Sequence, residues 1–490
     1  MENLKEKKSA EKEFQVIDID NRVYTLGKQI GQGGQGAVYL VKDDSDIAVK
    51  LVTNKEGEPV TDMESIRNVS QKLTELRKLP VPQNENLSVP LAILKSHAGY
   101  VMSFMKGMNS LTEFLKLKVP VKDDEFPDWL LKDGKPINNA ELYVNYCKTG
   151  GLRSRLLALY KASELLACIH ANGLCYVDIS DGNLMYKEDE DGFSASLIDT
   201  DNICFSGRGE TWMTKGYGAP EIVTGKSSAT IYSDSYSFAV AAFKILTMKH
   251  PFMGKKVYEE DDEGWSKTVV KPQNDNKDEF FDDGTYPWIY DNEDDSNAYG
   301  CREQDMALFL NPLLFALFDN TFSAGHNKPE LRTPLLRWPK AFAQAADSTI
   351  RCKSCGMSYF YTNKENNEYC CPYCSKERGR ILLVKTYLNS DSQEPLYVFA
   401  HELALNEVII PSRCFYPFKI NEGVKPVAGI MQKDDAIEIR AINNDRQLYI
   451  EKNGVKEPFV GMYKFICSKN ESFKYTLISG NRIVIISGEN

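Results

Sequence analysis

A chain of 490 residues, 42% hydrophobic and 26% charged, has the make-up of two to four soluble domains, and none of its apolar runs approaches the roughly 20 residues of a membrane span. A formal charge of -10 argues against a general nucleic-acid binder. Five of its twelve cysteines crowd between Cys352 and Cys374, a distribution that in a cytosolic chain points to metal binding.

Residues 1–20 form a charged tail without the apolar core of a secretory signal, so a cytoplasmic protein with no membrane anchor is expected. Arg22 to Ile30 reads as a strand running into Gly31, Gly33, Gly34 and Gly36, where missing side chains let backbone amides approach a polyphosphate. A dinucleotide-binding turn would open a helix at the last glycine. Here an apolar strand through Val38 follows, then a turn and Ile47-Ala48-Val49-Lys50, which predicts a phosphate-covering hairpin with Lys50 aimed at phosphate oxygens. Such a lysine needs a carboxylate to orient it. The helix expected over Asp62 to Leu79 offers Glu64 and Glu75, and Glu75 is preferred because Glu64 sits where a capping residue belongs.

Val89 to Met105 reads as a hairpin turning at Gly99. Lys116 to Gly151, broken by three prolines, reads as an insertion with a short helical piece. The buried helix expected over Leu152 to Ala171 delivers the chain into a tight loop in which Asp178 can accept a hydrogen bond from a hydroxyl. Five residues on, Asn183 can offer an amide oxygen to a hard cation such as Mg²⁺. Asp199, after a short apolar strand, is the expected second metal ligand, with Asp201 competing for the role. Residues 255–301, strongly acidic and dotted with Trp265, Tyr286, Trp288 and Tyr290, read as an exposed, solvated insertion.

In this order the glycine hairpin, IAVK, D-x-x-x-x-N, the metal aspartate, Gly218-Ala219-Pro220-Glu221 and SDSYSF at Ser233 to Phe238 resemble the protein kinase family, over about Asn21 to Ala345. The resemblance implies an α+β, bilobal protein-kinase-like fold, with an N-lobe over 21–106 and a C-lobe over 107–345. It implies ATP, held by Gly31, Gly33, Gly36, Val38, Ala48, Lys50 and a hinge at Ser103 and Met105 beside the gatekeeper Met102. It also implies Asp178 as catalytic base, Lys50 paired with Glu75, Mg²⁺ on Asn183 and Asp199, an ion pair between Glu221 and Arg332, and Asp234 bracing the catalytic loop.

Three departures stand out: Tyr176-Val177 replaces His-Arg, Asp199-Thr200-Asp201 replaces Asp-Phe-Gly, and Ser180 replaces a lysine. Without the arginine, activity is expected not to require a phosphate between Asn202 and Gly218. Within the family the chain resembles bacterial Ser/Thr-type kinases with a zinc-binding tail. That likeness implies protein substrates, and a metal-dependent protein phosphatase and a von Willebrand factor A-type protein as candidate partners.

In the tail, Cys352, Cys355, Cys371 and Cys374 form two ligand knuckles spaced as in a zinc ribbon over 346–380, with four thiolates for one Zn²⁺ and Cys370 as a bystander. Zinc loss is expected to unfold the tail while the kinase lobes keep their own core. Residues 381–490 read as a small all-β domain, a sandwich in which Ser412-Arg413 and Asn453-Gly454 faintly resemble a forkhead-associated phosphothreonine reader. The leading function is therefore a Ser/Thr protein kinase. A pseudokinase scaffold is the alternative, and a small-molecule kinase ranks last because such enzymes lack the APE and SDSYSF segments.

Overall fold

Apolar residues recurring through the first hundred positions build one antiparallel sheet. In the computed structural model it has the order β1-β2-β3-β4-β6-β5, with β1 Gln15–Ile17, β2 Val23–Gly33, β3 Gly36–Val41, β4 Asp44–Leu51, β5 Pro90–Ile93 and β6 Gly99–Ser103. The structure describes residues 14–489 except 34–35, 85, 118–125, 138–139, 190–191, 209–212, 261–281, 299–301, 362–369, 404–405, 418–424, 434, 443–447, 453–454 and 469–470. Gly34, Thr211, Trp265 and the Asn453-Gly454 turn thus lie outside the described residues. Among the described residues no helix is long and apolar enough to cross a membrane.

Helix α1, Met63–Leu76, starts where the Asp62 carboxylate accepts the Ser65 N–H at 2.9 Å. It buries Ile66, Leu73 and Leu76 as one stripe. Below the sheet, α2 (Ala140–Lys148) leads into α3 (Gly151–Ala171), which is buried on nearly every side and packs on helices Ile231–Thr247 and Trp338–Asp347. The loop carrying Asp178 leaves the C-terminal end of α3, so the largest core cluster among the described residues supports it from beneath.

The acidic stretch departs from the sequence reading. Trp288, Ile289 and Tyr290 are buried, and Trp288 packs its ring against Phe243, Phe315 and Phe322. Pro287 to Tyr290 is a short apolar run inside an acidic segment. The run goes into the core while flanking residues such as Glu293 and Asp294 stay in water.

The tail carries a small hairpin, Thr349–Arg351 with Ser358–Phe360, and two antiparallel sheets around a second core. The six-stranded sheet runs Tyr397–Glu402, Ile381–Tyr387, Arg482–Glu489, Phe473–Ser479, Tyr449–Lys452, Val455–Pro458. The four-stranded one runs Val408–Pro411, Pro426–Lys433, Ala436–Ala441, Met462–Ile466. Strand Ile381–Tyr387 is buried on both faces. Leu382 and Val384 enter the sandwich core, while Ile381 and Leu383 pack with Cys352 and Cys371.

Nor does the cysteine hairpin stand apart from the lobes, as the sequence suggested. Met357 and Phe360 belong to the same core as α3, the Arg153 N–H donates to Ser358 Oγ at 3.1 Å, and Tyr373 meets Trp129 and Tyr143 edge-on. A Cβ on Gly151, where φ is +67°, would come within 2.8 Å of Ser358 Oγ, so this contact requires glycine.

Arg413 is likewise committed. Its Nε and Nη2 donate to the two oxygens of Asp347 at 2.6 and 2.7 Å, and the Tyr397 hydroxyl donates to the same carboxylate at 2.8 Å. Asp347, fully buried at the end of helix Trp338–Asp347, thus locks the sandwich to the lobe. A guanidinium held bidentately in the interior is not free to meet a phosphothreonine, so Arg413 cannot serve that reading. Arg413→Met is expected to destabilise the protein by about 3 kcal/mol, because Asp347 is left as a buried charge that keeps the Tyr397 hydroxyl but, among the described residues, has no cation nearer than Arg153 at 3.8 Å. Denaturant titration measures this; an unchanged midpoint would mean that water already reaches Asp347.

Candidate active site

Strand pairing places the first members of the site. Val38 on β3 and Lys50 on β4 are direct cross-strand partners, so both side chains leave the same face of the sheet. Above them β2 and β3 close on Gly33 opposite Gly36. Gly36 has φ +144°, and a Cβ there would lie 2.1 Å from the Leu51 carbonyl oxygen, so no other residue fits.

The loop at Asp178 is held in a costly shape. Val177 has φ +81°, a region that β-branched residues avoid. Asp234, 1% exposed, stabilises it by accepting the N–H groups of Tyr176 at 2.6 Å and Val177 at 3.0 Å, and His170 Nε2 lies 3.0 Å from the same carboxylate. The buried Tyr176 hydroxyl donates to the Ile198 carbonyl, joining this loop to the strand that delivers Asp199. Asp199 itself is left-handed at φ 55°, and the next residue, Thr200, donates its hydroxyl to the Ser88 carbonyl at 2.9 Å. The Asn183 amide donates to Asp178 Oδ2 at 3.2 Å and to the Asp178 carbonyl at 2.9 Å, which turns its oxygen the other way.

These elements enclose a cleft of about 880 Å³. Gly31, Gly33, Gly36, Val38, Lys50, Ser103, Met105, Asp178, Asn183 and Asp199 all line it, so most residues expected from the sequence meet there. Ala48 does not; it is fully buried in the sheet beneath. Met108, Met185, Met213 and Ile198 also line the cleft and were not anticipated. With Met102 and Met105 they give the cleft a soft, polarisable apolar lining. Their only sequence signal was the frequency of methionine near the expected hinge and loop.

The protein kinase domain family model matches residues 24–287, more than half of the chain. The chain belongs to the protein kinase family. Among curated relatives, serine/threonine-protein kinase PknD of Protochlamydia amoebophila is 22% identical over 271 residues, covering 50% of this chain and 25% of that protein. The probable serine/threonine-protein kinase 2 of Plasmodium falciparum is 27% identical over 255 residues, covering 50% of this chain and 42% of that one. The chain therefore spans less than half the length of either. A solved structure, the ROP18 kinase domain in complex with AMP-PNP and sucrose, aligns with a TM-score of 0.42 at 15% identity over 67% of this chain and 82% of that one, a likeness too slight to bear on the site.

Glu75 does not reach Lys50: its side chain is 63% exposed and pairs with Lys78 at 2.6 Å. Leu73 and Leu76 bury the inner stripe of α1, which leaves Glu75 on the outer face, and Glu64 is exposed in the first turn. Lys50 instead lies 3.1 Å from Asp199 and 3.3 Å from Asp201. Burial alone would favour the neutral amine, but Asp201 and then Asp199 outweigh it and hold Lys50 charged beyond its ordinary range. Burial raises the Asp199 carboxyl, Lys50 pulls it back only in part, and Asp201 and Asp178 push it further up. At Asp201 burial acts in the same sense, yet Lys50 and Lys72 prevail and keep that carboxyl low.

Elsewhere in the chain, Arg332 grips Glu221 with two bonds of 2.7 Å, the pairing the resemblance implied. Far from the cleft, the sulfurs of Cys352, Cys355, Cys371 and Cys374 lie within 4.8 Å of one another. Cys371 is lowered to about 5, chiefly by a hydrogen bond from Cys355, so the cluster already favours a thiolate. Four converging thiolates fit a soft or borderline ion in a closed tetrahedral site. Cys370 is not among these four; its backbone bridges Glu377.

Proposed function

We propose that this protein transfers the γ-phosphoryl group of ATP to serine or threonine hydroxyls of protein substrates, and that its cysteine cluster holds a structural Zn²⁺. The observation that carries the first part lies at Asp178. The Thr214 hydroxyl donates to Asp178 Oδ1 at 2.6 Å, beside Asn183 and in the cleft lined by Lys50 and Asp199. An alcohol is thus already seated where a substrate hydroxyl would deliver its proton. In this reading Lys50 draws the phosphate oxygens into line, the glycine hairpin covers them, and Asp178 receives the proton. Asn183 and Asp199 would hold Mg²⁺, which supplies neutralisation of phosphate charge when bound.

The displacement of Glu75 is the observation that favours a pseudokinase scaffold. Against it stands the meeting of Lys50, Asp178, Asn183 and Asp199 in one cleft, for which a scaffold has no chemical need. The tail, fixed to the C-lobe through Arg413 and Asp347, offers a rigid platform for docking substrates. A metal-dependent phosphatase and a von Willebrand factor A-type protein are proposed as partners on the resemblance alone.

Incubation of the full chain with γ-labelled ATP and Mg²⁺, followed by phosphoamino-acid analysis, tests the reading. Labelled phosphoserine or phosphothreonine, absent from Asp178→Asn, is the expected result; nucleotide binding without transfer at any Mg²⁺ concentration would leave the scaffold. Turnover is also expected to survive phosphatase treatment of the 202–218 segment, since Val177 offers no cation to a phosphate there. Mass spectrometry paired with kinetics measures this, and a large loss on dephosphorylation would count against it.

A further inference from the structure

We propose that Asp201 is the positioning carboxylate of Lys50, and that it ties the lysine of β4 to helix α1 through Lys72, the task for which the sequence had suggested Glu75. The inference rests on the kinase reading above and adds to it a residue that the reading assigned only as a rival metal ligand.

The two aspartates beside Lys50 are not equivalent. Asp199 is 26% exposed at its side chain and lines the cleft, where metal and phosphate would compete with Lys50 for its oxygens. Asp201 is 12% exposed and does not line the cleft. Its Oδ1 faces Lys50 Nζ at 3.3 Å, and its Oδ2 faces Lys72 Nζ at 3.7 Å. Lys72 in turn donates to Asn202 Oδ1 at 2.7 Å, so both ends of the bridge are fixed to the same short turn, Thr200–Asn202. That turn is held to the N-lobe side by the Thr200 hydroxyl on the Ser88 carbonyl.

A carboxylate has two oxygens, and here each serves a different cation. The result is a chain of alternating charge, Lys50 to Asp201 to Lys72, running from the sheet to the helix. Glu75 lies almost one turn beyond Lys72 and faces outward. In this arrangement α1 contributes the cation and the loop contributes the anion, so the helix position is still sensed by Lys50 but through an inserted group. When ligands claim Asp199, Asp201 remains as the anchor that keeps Lys50 in line.

The test compares Asp201→Asn, Lys72→Met and Lys50→Met in the full chain. Without nucleotide or metal, acylation of Lys50 by a lysine-directed ester, followed by mass spectrometry with the other lysines as internal controls, reads the bridge directly. Asp201→Asn is expected to speed labelling at Lys50 about tenfold, the scale of a lost charge-assisted hydrogen bond, and Lys72→Met, which leaves Asp201 to Lys50 alone, to slow it. In the ATP assay Asp201→Asn should lower kcat, leave the Mg²⁺ concentration for half-maximal activity unchanged, and add nothing to Lys50→Met.

Unchanged labelling in both variants overturns the proposal. So does a shifted Mg²⁺ requirement with normal labelling, which would make Asp201 a metal ligand. Asp201→Asn is isosteric, and if it still fails to fold, Lys72→Met alone decides through the labelling rate, because its side chain is 46% exposed. If wild-type protein transfers no phosphate, the kinase reading fails, and the nucleotide-free labelling still decides whether Asp201 positions Lys50.

Discussion

Asp199→Ala is expected to lower phosphoryl transfer by about a thousandfold without lowering the melting temperature. The side chain lines the cleft and is 26% exposed, so removing it opens no core cavity. Its loss also removes an unfavourable charge. Burial, with Asp201 and Asp178 nearby, raises the Asp199 carboxyl above the ordinary aspartate value despite Lys50. A carboxyl that holds its proton more tightly when folded costs stability as pH rises from below its unfolded pKa through its folded one, and alanine abolishes that cost. Transfer kinetics and melting curves at two pH values check both halves. Retained activity would pass the metal role to Asp201 and undo the division of labour between the two aspartates.

Removal of zinc is expected to reach further than the tail. Apparent binding energies for thiolate-bound Zn²⁺ are on the order of 10 kcal/mol, comparable to the stability of a whole domain. Met357 and Phe360 from the cysteine hairpin lie in the core that supports the Asp178 loop, and Cys147 donates to the Cys355 carbonyl at 3.2 Å. Cys355→Ser should therefore lose its one equivalent of zinc, lower the melting temperature of the catalytic region, and reduce ATP turnover at temperatures the parent tolerates. Elemental analysis, calorimetry and turnover measured together test this. Zinc content equal to the parent would refute the ligand assignment, and a catalytic region melting as before would restore the independent lobes suggested by the sequence.

What could be read from the sequence was the chemistry carried by short, rigid segments. Lys50 was legible because it ends an apolar strand, and Asp178 and Asn183 because five residues of tight loop fix their relation. The pairing of Lys50 was not legible, since it depends on which stripe of α1 is buried. Leu73 and Leu76 settle that only once the sheet is present, and they turn Lys72 toward the loop and Glu75 to water. The clue was Asp201 itself, a charge standing where the kinase pattern has glycine. Trp288 and Tyr290 were misread because the acidic composition of the segment was averaged over a short apolar run. Arg413 was read by motif, and its buried partner Asp347 lies 66 residues away.

The order of strands in the six-stranded tail sheet has a consequence for synthesis. Strand Ile381–Tyr387 pairs on one side with Tyr397–Glu402, made soon after it, and on the other with Arg482–Glu489, made more than ninety residues later. The nascent chain can thus assemble its catalytic lobes while one edge of Ile381–Tyr387 still waits for its neighbour. A message cut short between those strands would release a polypeptide with an apolar, unpaired edge lying against the cysteine hairpin. Such an edge recruits other chains, so truncated products should be found in aggregates or in the hands of chaperones and proteases.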